Sequence, residues 1–276
     1  MRPFDSSVED TPDLIRWARF TLKRGPVSTA HLIARRIIGD SRPSWWSLAK
    51  TAFQGRRVVE IGGPSWQFGP KGSLPVYSEI IALDLVDYSK SVMEHPVQSG
   101  RIFRPARPKV PGRELIREAT HLEGVPSSYY EGLLSSHVLE HIANPMLALN
   151  EWRRVVKKGS SMIIIVPNPE ITFDRSRQIT PVAHMQADFA GGTTEDDLTH
   201  VPEVLTMHDI ELDPWARSRS RFVTLVSDNA ASRVVHHHVF SLESLSKLVL
   251  LSGFDVIASS LLSKDDIAVM GRRPED

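Results

Sequence analysis

Three groups of residues in this chain have types and spacings that could do chemistry. The first is a pair of acids around a glycine turn. Glu60 sits in the apolar run Arg57-Val-Val-Glu-Ile61, which leads straight into Gly62-Gly63-Pro64-Ser65. Asp84 closes a second apolar run, Ile80-Ile-Ala-Leu-Asp84. Glycines let a backbone approach a ligand closely, and an acid at the next strand end accepts hydrogen bonds from ribose hydroxyls. This is how an α/β protein holds a nucleoside-bearing cofactor. The second group is Ser136-His137-Val-Leu-Glu-His141. His137 and His141 are four apart, so on a helix they would share a face. An imidazole titrates near neutrality and can take a proton from a reacting hydroxyl. The third group is a polar stretch holding Asp174, His184, Asp188, Glu195, Asp197, His200, His208, Asp209 and the triplet His236, His237 and His238.

Three readings of the third group stand side by side. A polar acceptor such as a sugar needs many hydrogen-bonding groups, and Asp197, His200, His208, His237 and His238 could supply them. Asp197, His200, His208 and Asp209 could instead hold a divalent metal such as magnesium. The third reading is a solvated loop with incidental histidines.

Strands and helices must position these groups. Strand patterns fall at Val58–Ile61, Ile80–Leu85, Gly132–Ser136 and Ser161–Val166, with closing strands at Phe254–Ser259 and Asp266–Met270. The spacing of Leu147, Leu149, Trp152, Val155 and Val156 gives a helix over Leu147–Val156, which Gly159 should terminate. A second helix covers Phe240–Gly253. Strands apolar throughout and alternating with helices imply a parallel sheet covered on both faces. Residues 1–50 read as an N-terminal helical segment, and 51–276 as the main domain. The stretch 168–238 is an insert over the substrate side, and the proline- and arginine-rich 97–112 is an irregular loop.

Composition limits the alternatives. The 276 residues carry 33 basic and 33 acidic side chains, so no global field recruits nucleic acid or an anionic surface. Cysteine is absent, which removes thiolate metal sites and a cysteine nucleophile. No apolar run reaches the roughly 18 residues of a membrane span. The early acids Asp5, Glu9, Asp10 and Asp13 do not suit a signal peptide, so the cytoplasm is the default location. The glycine turn lacks G-x-G-x-x-G, with Pro64 where a third glycine would stand, which disfavours a dinucleotide.

The blocks Glu60-Ile-Gly-Gly-Pro-Ser65, Ala82-Leu-Asp84, Glu118-Ala119, Leu133-Leu-Ser-Ser-His-Val-Leu-Glu-His-Ile142 and Trp152-Arg-Arg-Val-Val-Lys-Lys-Gly159 occur in this order. Together they resemble the class I S-adenosylmethionine-dependent methyltransferases, over roughly residues 55–170. The departure is Gly63-Pro64-Ser65, where most members have Gly-x-Gly. The resemblance implies a Rossmann-like α/β fold and S-adenosylmethionine as methyl donor. It implies that Glu60, Gly62, Gly63 and Ser65 line the methionine end and that Asp84 accepts from the ribose. Glu118 and Ala119 would meet the adenine edge, and Ser136 the side facing the acceptor. It points to His141, with His137 second, as the base.

The polar stretch is also similar to bacterial sugar and polysaccharide O-methyltransferases, including the actinobacterial methylmannose polysaccharide type. This implies methylation of a sugar or oligosaccharide hydroxyl in the cytoplasm, with a homodimer among the assembly states open to it. Alternatives are a natural-product small-molecule methyltransferase, a catalytically inactive binding module on the same fold, and a metal-dependent hydrolase or isomerase built on the histidines.

Overall fold

In the computed structural model, residues 42–89, 102–103, 112–213, 216 and 218–276 are described. The helices expected over residues 1–41, and most of the loop 97–112, lie outside them. Eight strands form one sheet: β1 Arg57–Ile61, β2 Ala82–Asp87, β3 Ile102–Phe103, β4 Gly112–Ile116, β5 Tyr130–Ser136, β6 Val156–Pro167, β7 Asp255–Leu261 and β8 Asp266–Arg272. Their order is β3-β4-β2-β1-β5-β6-β8-β7. Strands β4, β2, β1, β5 and β6 are parallel, whereas β8 pairs antiparallel with β6 and with β7, and the two-residue β3 antiparallel with β4. Leaving out β3, this is the class I methyltransferase sheet, with one reversed strand inserted near the end.

Every residue of β2 is buried, as are four of the five in β1. That is why these strands read as unbroken apolar runs. One face packs on α1 (Trp46–Phe53) and the β1–β2 connection, through Phe53, Phe68, Leu74, Val76 and Ile80. The other face packs on α2 (Pro145–Val155) and α7 (Leu242–Leu251), through Leu149, Trp152, Leu245, Leu248 and Val249. The compact unit starts at Arg42. It includes α1, whose Ala49 and Phe53 are fully buried, so the boundary drawn at residue 50 falls earlier.

Several element expectations need correction. Helix α2 begins at Pro145, where the Asn144 side chain accepts from the Leu147 N–H at 3.0 Å, a side-chain cap ahead of a first-turn proline. It ends at Val155 rather than at Gly159. Lys157, Lys158 and Gly159 already belong to β6, and Gly159 N–H donates to the Arg273 carbonyl. Strand β4 emerges from a stretch read as the edge of a loop. Between β1 and β2 no α-helix forms: the chain makes a short 3₁₀ turn at Trp66–Phe68 and then a buried irregular run. The insert contains α3 (Val182–Gly191), α4 (Val201–Met207), α5 (Arg219–Ser227) and α6 (Asn229–Ser232). It has its own small core of Val204, Phe222, Val226 and Val235.

Candidate active site

The parallel strands place their following loops side by side. Ile61 pairs with Val86 on one side and Ser135 on the other, and Asp87 pairs with Ile116. Gly62, Asp87 and Ser136 therefore lie at one level at the carboxyl edge of the sheet, and Glu118 follows the end of β4. Open α/β sheets bind ligands at this edge.

The glycine turn is held by Glu60. Its Oε1 accepts from Ser65 N–H at 2.9 Å and its Oε2 from Tyr77 Oη at 2.6 Å. Burial outweighs these hydrogen bonds and pushes the Glu60 carboxyl up to about 7. Glu60 thus braces the loop from below, which leaves the backbone of Gly62 and Gly63 to face the edge. Gly62 has φ +75°, and a Cβ there would meet Val138 Cγ2 at 2.2 Å. At Gly63 a Cβ would meet the Glu60 carboxyl carbon at 2.3 Å. Neither position accepts a larger residue without movement.

Asp84 does not stand at the strand end. It pairs with Val59 in mid-strand, three residues or about 10 Å below the edge. Its Oδ1 accepts from Arg113 N–H at 2.9 Å, and its Oδ2 from Tyr130 Oη at 2.8 Å and Arg113 Nη2 at 3.1 Å. This carboxylate ties three strands together, and both of its oxygens are engaged there. The acid at the end of β2 is Asp87. It is mostly buried, burial raises it to about 6, and its Oδ1 accepts from Tyr88 N–H at 2.7 Å. Extending the second apolar run through Val86 would have found it.

Glu118 faces the insert. Its Oε1 accepts from Arg233 Nη2 at 2.8 Å, while Arg233 Nη1 reaches Glu195 Oε2 at 2.6 Å. The Arg233 guanidinium lies 5.0 Å from the Tyr88 ring centroid, and Tyr88 Oη donates to the Ala231 carbonyl. Arg233 thus joins the residues after β2 and β4 to the insert. Arg233 and Tyr88 carried no motif in the sequence. Ala119 contributes its carbonyl to Trp152 Nε1. At the end of β5 the hydroxyls of Ser135 and Ser136 are buried without a hydrogen-bond partner.

The two histidines after Ser136 do not share a helical face. His137 has φ +56°, and the turn Leu139–His141 is 3₁₀. His137 points toward β8, with Nε2 3.0 Å from Asp266 Oδ1 and Nδ1 3.5 Å from Glu140 Oε1. Burial works against its charge, but the hydrogen bonds to Asp266 and Glu140 outweigh it and raise its pKa to about 10. His137 therefore stays protonated at neutral pH and cannot accept a proton. His141 turns the other way, its ring 4.4 Å from that of His236. Burial, reinforced by His236, lowers it to about 4, and its Nδ1 is buried without a partner. It is a neutral imidazole with a free ring nitrogen.

Behind His141 stands a carboxylate relay. His236 Nδ1 is 2.5 Å from Asp174 Oδ2, and Arg177 Nη1 donates to Asp174 Oδ1 at 3.0 Å and to the His236 carbonyl at 2.8 Å. Burial alone would raise Asp174, but His236 and Arg177 hold it well below the usual carboxylate range. Glu140, His141 and His236 bring one donor atom each within 4.8 Å of one another. Sequence reading placed Asp174 and His236 in the polar stretch without linking them to His141, because nothing in their spacing reveals that contact.

The proposed magnesium set does not assemble. His208 Nε2 pairs with Asp213 Oδ2 at 2.9 Å, and its ring stacks on Phe173 and Phe222 in the insert. It is a packing residue, which also removes it from the acceptor-binding set. Asp209 pairs with Arg175 at 2.6 Å. Asp197 and His200 instead lie with His237, their donor atoms within 4.8 Å of one another. Burial lowers both His237 and His238 to about 3, so both are neutral.

Residues 74–164 match the family model described as a methyltransferase domain. No curated protein matches the chain. Several solved structures are similar to it at low identity. One is an S-adenosylmethionine dependent methyltransferase from Mesorhizobium loti, with 14% identity over 85% of this chain and 100% of that one, and a TM-score of 0.47. A second is a putative S-adenosylmethionine dependent methyltransferase from Listeria monocytogenes, with 15% identity, 84% and 98% coverage and a TM-score of 0.46. A third is the 1,6-didemethyltoxoflavin-N1-methyltransferase of Burkholderia thailandensis, bound to its acceptor and S-adenosylhomocysteine, with 10% identity, 99% and 94% coverage and a TM-score of 0.44. Residues 74–164 thus match a methyltransferase domain, and the strand order around them is the one expected of a fold that takes S-adenosylmethionine as methyl donor.

Proposed function

We propose that this S-adenosylmethionine-dependent methyltransferase acts on a hydroxyl of a sugar or oligosaccharide, with His141 as the base. The observation that carries the reading is His141 itself: a half-buried, neutral ring whose buried Nδ1 has no hydrogen-bond partner, five residues beyond the end of β5. When bound, the methyl donor supplies an electrophilic methyl group on a sulfonium. The residues along the edge fit that ligand. Gly62 and Gly63 open the backbone to the methionine end, and Asp87 takes the ribose-accepting place expected of Asp84. Glu118 and Arg233 flank the adenine end, and Ser136 offers an unpaired hydroxyl.

His141 Nδ1 would take the proton of the acceptor hydroxyl, leaving its oxygen to accept the methyl group that the bound donor would supply. The Glu140 carboxylate beside the ring favours the imidazolium that forms, while Asp174 and Arg177 hold His236 in place on its other side. His137, cationic between Asp266 and Glu140, orients the loop after β5. A polar acceptor is supported by the buried polar groups of the insert. His237 and His238 each bury an unpartnered Nδ1, and the His236 ring rests against His141.

The test is an assay with isotopically labelled methyl donor over a panel of mono- and disaccharides. Methyl transfer to a sugar is expected, and His141→Ala should lower kcat by about 10²–10⁴-fold with cofactor affinity within about twofold. Cofactor binding with no product from any sugar would overturn the sugar reading. Equal losses in rate and cofactor affinity would recast His141 as structural.

A further inference from the structure

The insert gathers a second set of donor atoms beside the segment that follows β5. His184 and Asp188 stand one turn apart on α3 and share a face. His200 caps α4, and His238 lies in the extended run before α7. His184 Nε2 is 3.2 Å from His200 Nε2 and 3.4 Å from Asp188 Oδ2. Asp188 Oδ2 is 3.7 Å from His238 Nε2. The three histidines each bring one ring nitrogen within 4.8 Å of the others. Two ligands on a tetrahedral zinc ion, each about 2.0–2.1 Å from it, are about 3.3 Å apart. The three measured separations fall around that edge length.

Hydrogen bonding alone leaves this cluster unsatisfied. Asp188 Oδ2 is buried without a hydrogen-bond donor, although Oδ1 of the same carboxylate accepts from Thr193 Oγ1 at 3.3 Å. A buried carboxylate oxygen aimed at two of the imidazoles, with its other oxygen fixed by a hydroxyl, is the pattern of a ligand with an outer support. Ala143 O lies 3.1 Å from His238 Nε2, so an ion there competes with that contact and binds the tautomer protonated on Nδ1. The His184 side chain is 41% exposed, which gives an ion a route in from solvent.

We propose that His184, His200, His238 and Asp188 form a site for one divalent transition-metal ion of the zinc class. Three imidazoles and one carboxylate suit zinc, cobalt or nickel, whereas magnesium prefers an all-oxygen octahedron. The ion would fasten α3, the start of α4 and the segment entering α7 to one another. His237 and His236 directly precede His238 in that segment, so the ion would also fix the acceptor side of the pocket. The site does not depend on the identity of the methyl acceptor.

Cobalt(II) is the probe. The full chain, stripped with chelator, is titrated with cobalt and followed by its visible d–d absorption, and zinc content is measured by elemental analysis after loading. One ion per chain is expected, with absorption of tetrahedral intensity. His184→Ala and Asp188→Asn should each weaken binding by about 100-fold or more. Far-UV circular dichroism and S-adenosylhomocysteine binding should persist in both. His236→Ala should retain the ion, because His236 belongs to the neighbouring Glu140 and His141 group. No ion bound by the wild type would overturn the proposal. So would unchanged cobalt binding in both ligand variants, or loss of the ion in His236→Ala alone. Two ligand variants on one helix, one of them half exposed, guard against a single variant that fails to fold.

Discussion

At the scale of single residues, the account rests on environments that divide similar side chains into different roles. His141 and His137 are four residues apart, yet burial beside His236 lowers one to about 4, and Asp266 with Glu140 raises the other to about 10. The groups facing His141 are Glu140, His236 and His137, and the net effect keeps it neutral across the working range. The rate constant kcat/KM should therefore stay flat between pH 6 and 8, with no transition near 6.5. It should fall on the acid side as His141 protonates near 4, and again near 10 as His137 loses its proton. A single transition near 6.5 in the pH–rate profile would contradict the assignment. Stability follows the same signs. His137 binds a proton more tightly folded than unfolded, so its contribution is full below about 6.5 and is lost as pH rises toward 10. His141 binds one less tightly, so its neutral burial favours folding above 6.5 and is lost as pH falls toward 4. Glu60→Ala should cost about 1–3 kcal/mol, because it strips Tyr77 Oη and Ser65 N–H of their shared acceptor. Denaturant melts of the two proteins would measure it. The residue types and their order were readable from sequence, but not which acid reaches the edge. Asp84 and Asp87 both follow apolar residues, and only strand register separates a three-strand tie from a strand-end acceptor.

At the scale of elements, most of the strands and the extent of the insert were readable, and the helices inside the insert were not. Strands buried on both faces write apolar runs, so β1, β2, β5 and β6 stood out. Strand β4 near the sheet's edge alternates buried Gly112 and Glu114 with exposed Arg113, and its charged sequence hid it among proline and arginine. Helix α3 buries only Val182 and Met185, too few to make a helical stripe. The connection after the glycine turn buries Phe68, Leu74, Val76 and Tyr77 irregularly, with Glu60 as its anchor, and carries no periodic pattern a sequence reading could use. The insert reaches back over the edge through Arg233, which bridges Glu118 and Glu195 and lies on Tyr88. Closure of this kind slows ligand release. Arg233→Ala should therefore speed dissociation of S-adenosylhomocysteine several-fold in stopped-flow measurements, with a smaller change in association rate. An unchanged dissociation rate would show that Arg233 only fastens the insert.

At the scale of the whole molecule, one sheet aligns four loops at a common level, and a polar insert with its own small core faces them. The methyltransferase-domain match over residues 74–164 and the strand order support S-adenosylmethionine as the methyl donor, and the insert supplies the polar groups that face the edge. The order of motif blocks was enough to read the fold from sequence. The convergence of His141, His236 and Asp174 was not, since it joins segments separated by many residues. The central claim is that the donor lies along Gly62, Asp87, Glu118 and Ser136. Calorimetry with S-adenosylhomocysteine on the wild type, Asp87→Ala and Asp84→Asn tests it most directly. Micromolar binding is expected for the wild type, weakened about tenfold or more by Asp87→Ala. Asp84→Asn should keep the affinity within about threefold and lower the melting temperature. No heat with the wild type, or loss of binding through Asp84→Asn in a folded protein while Asp87→Ala binds normally, would contradict it.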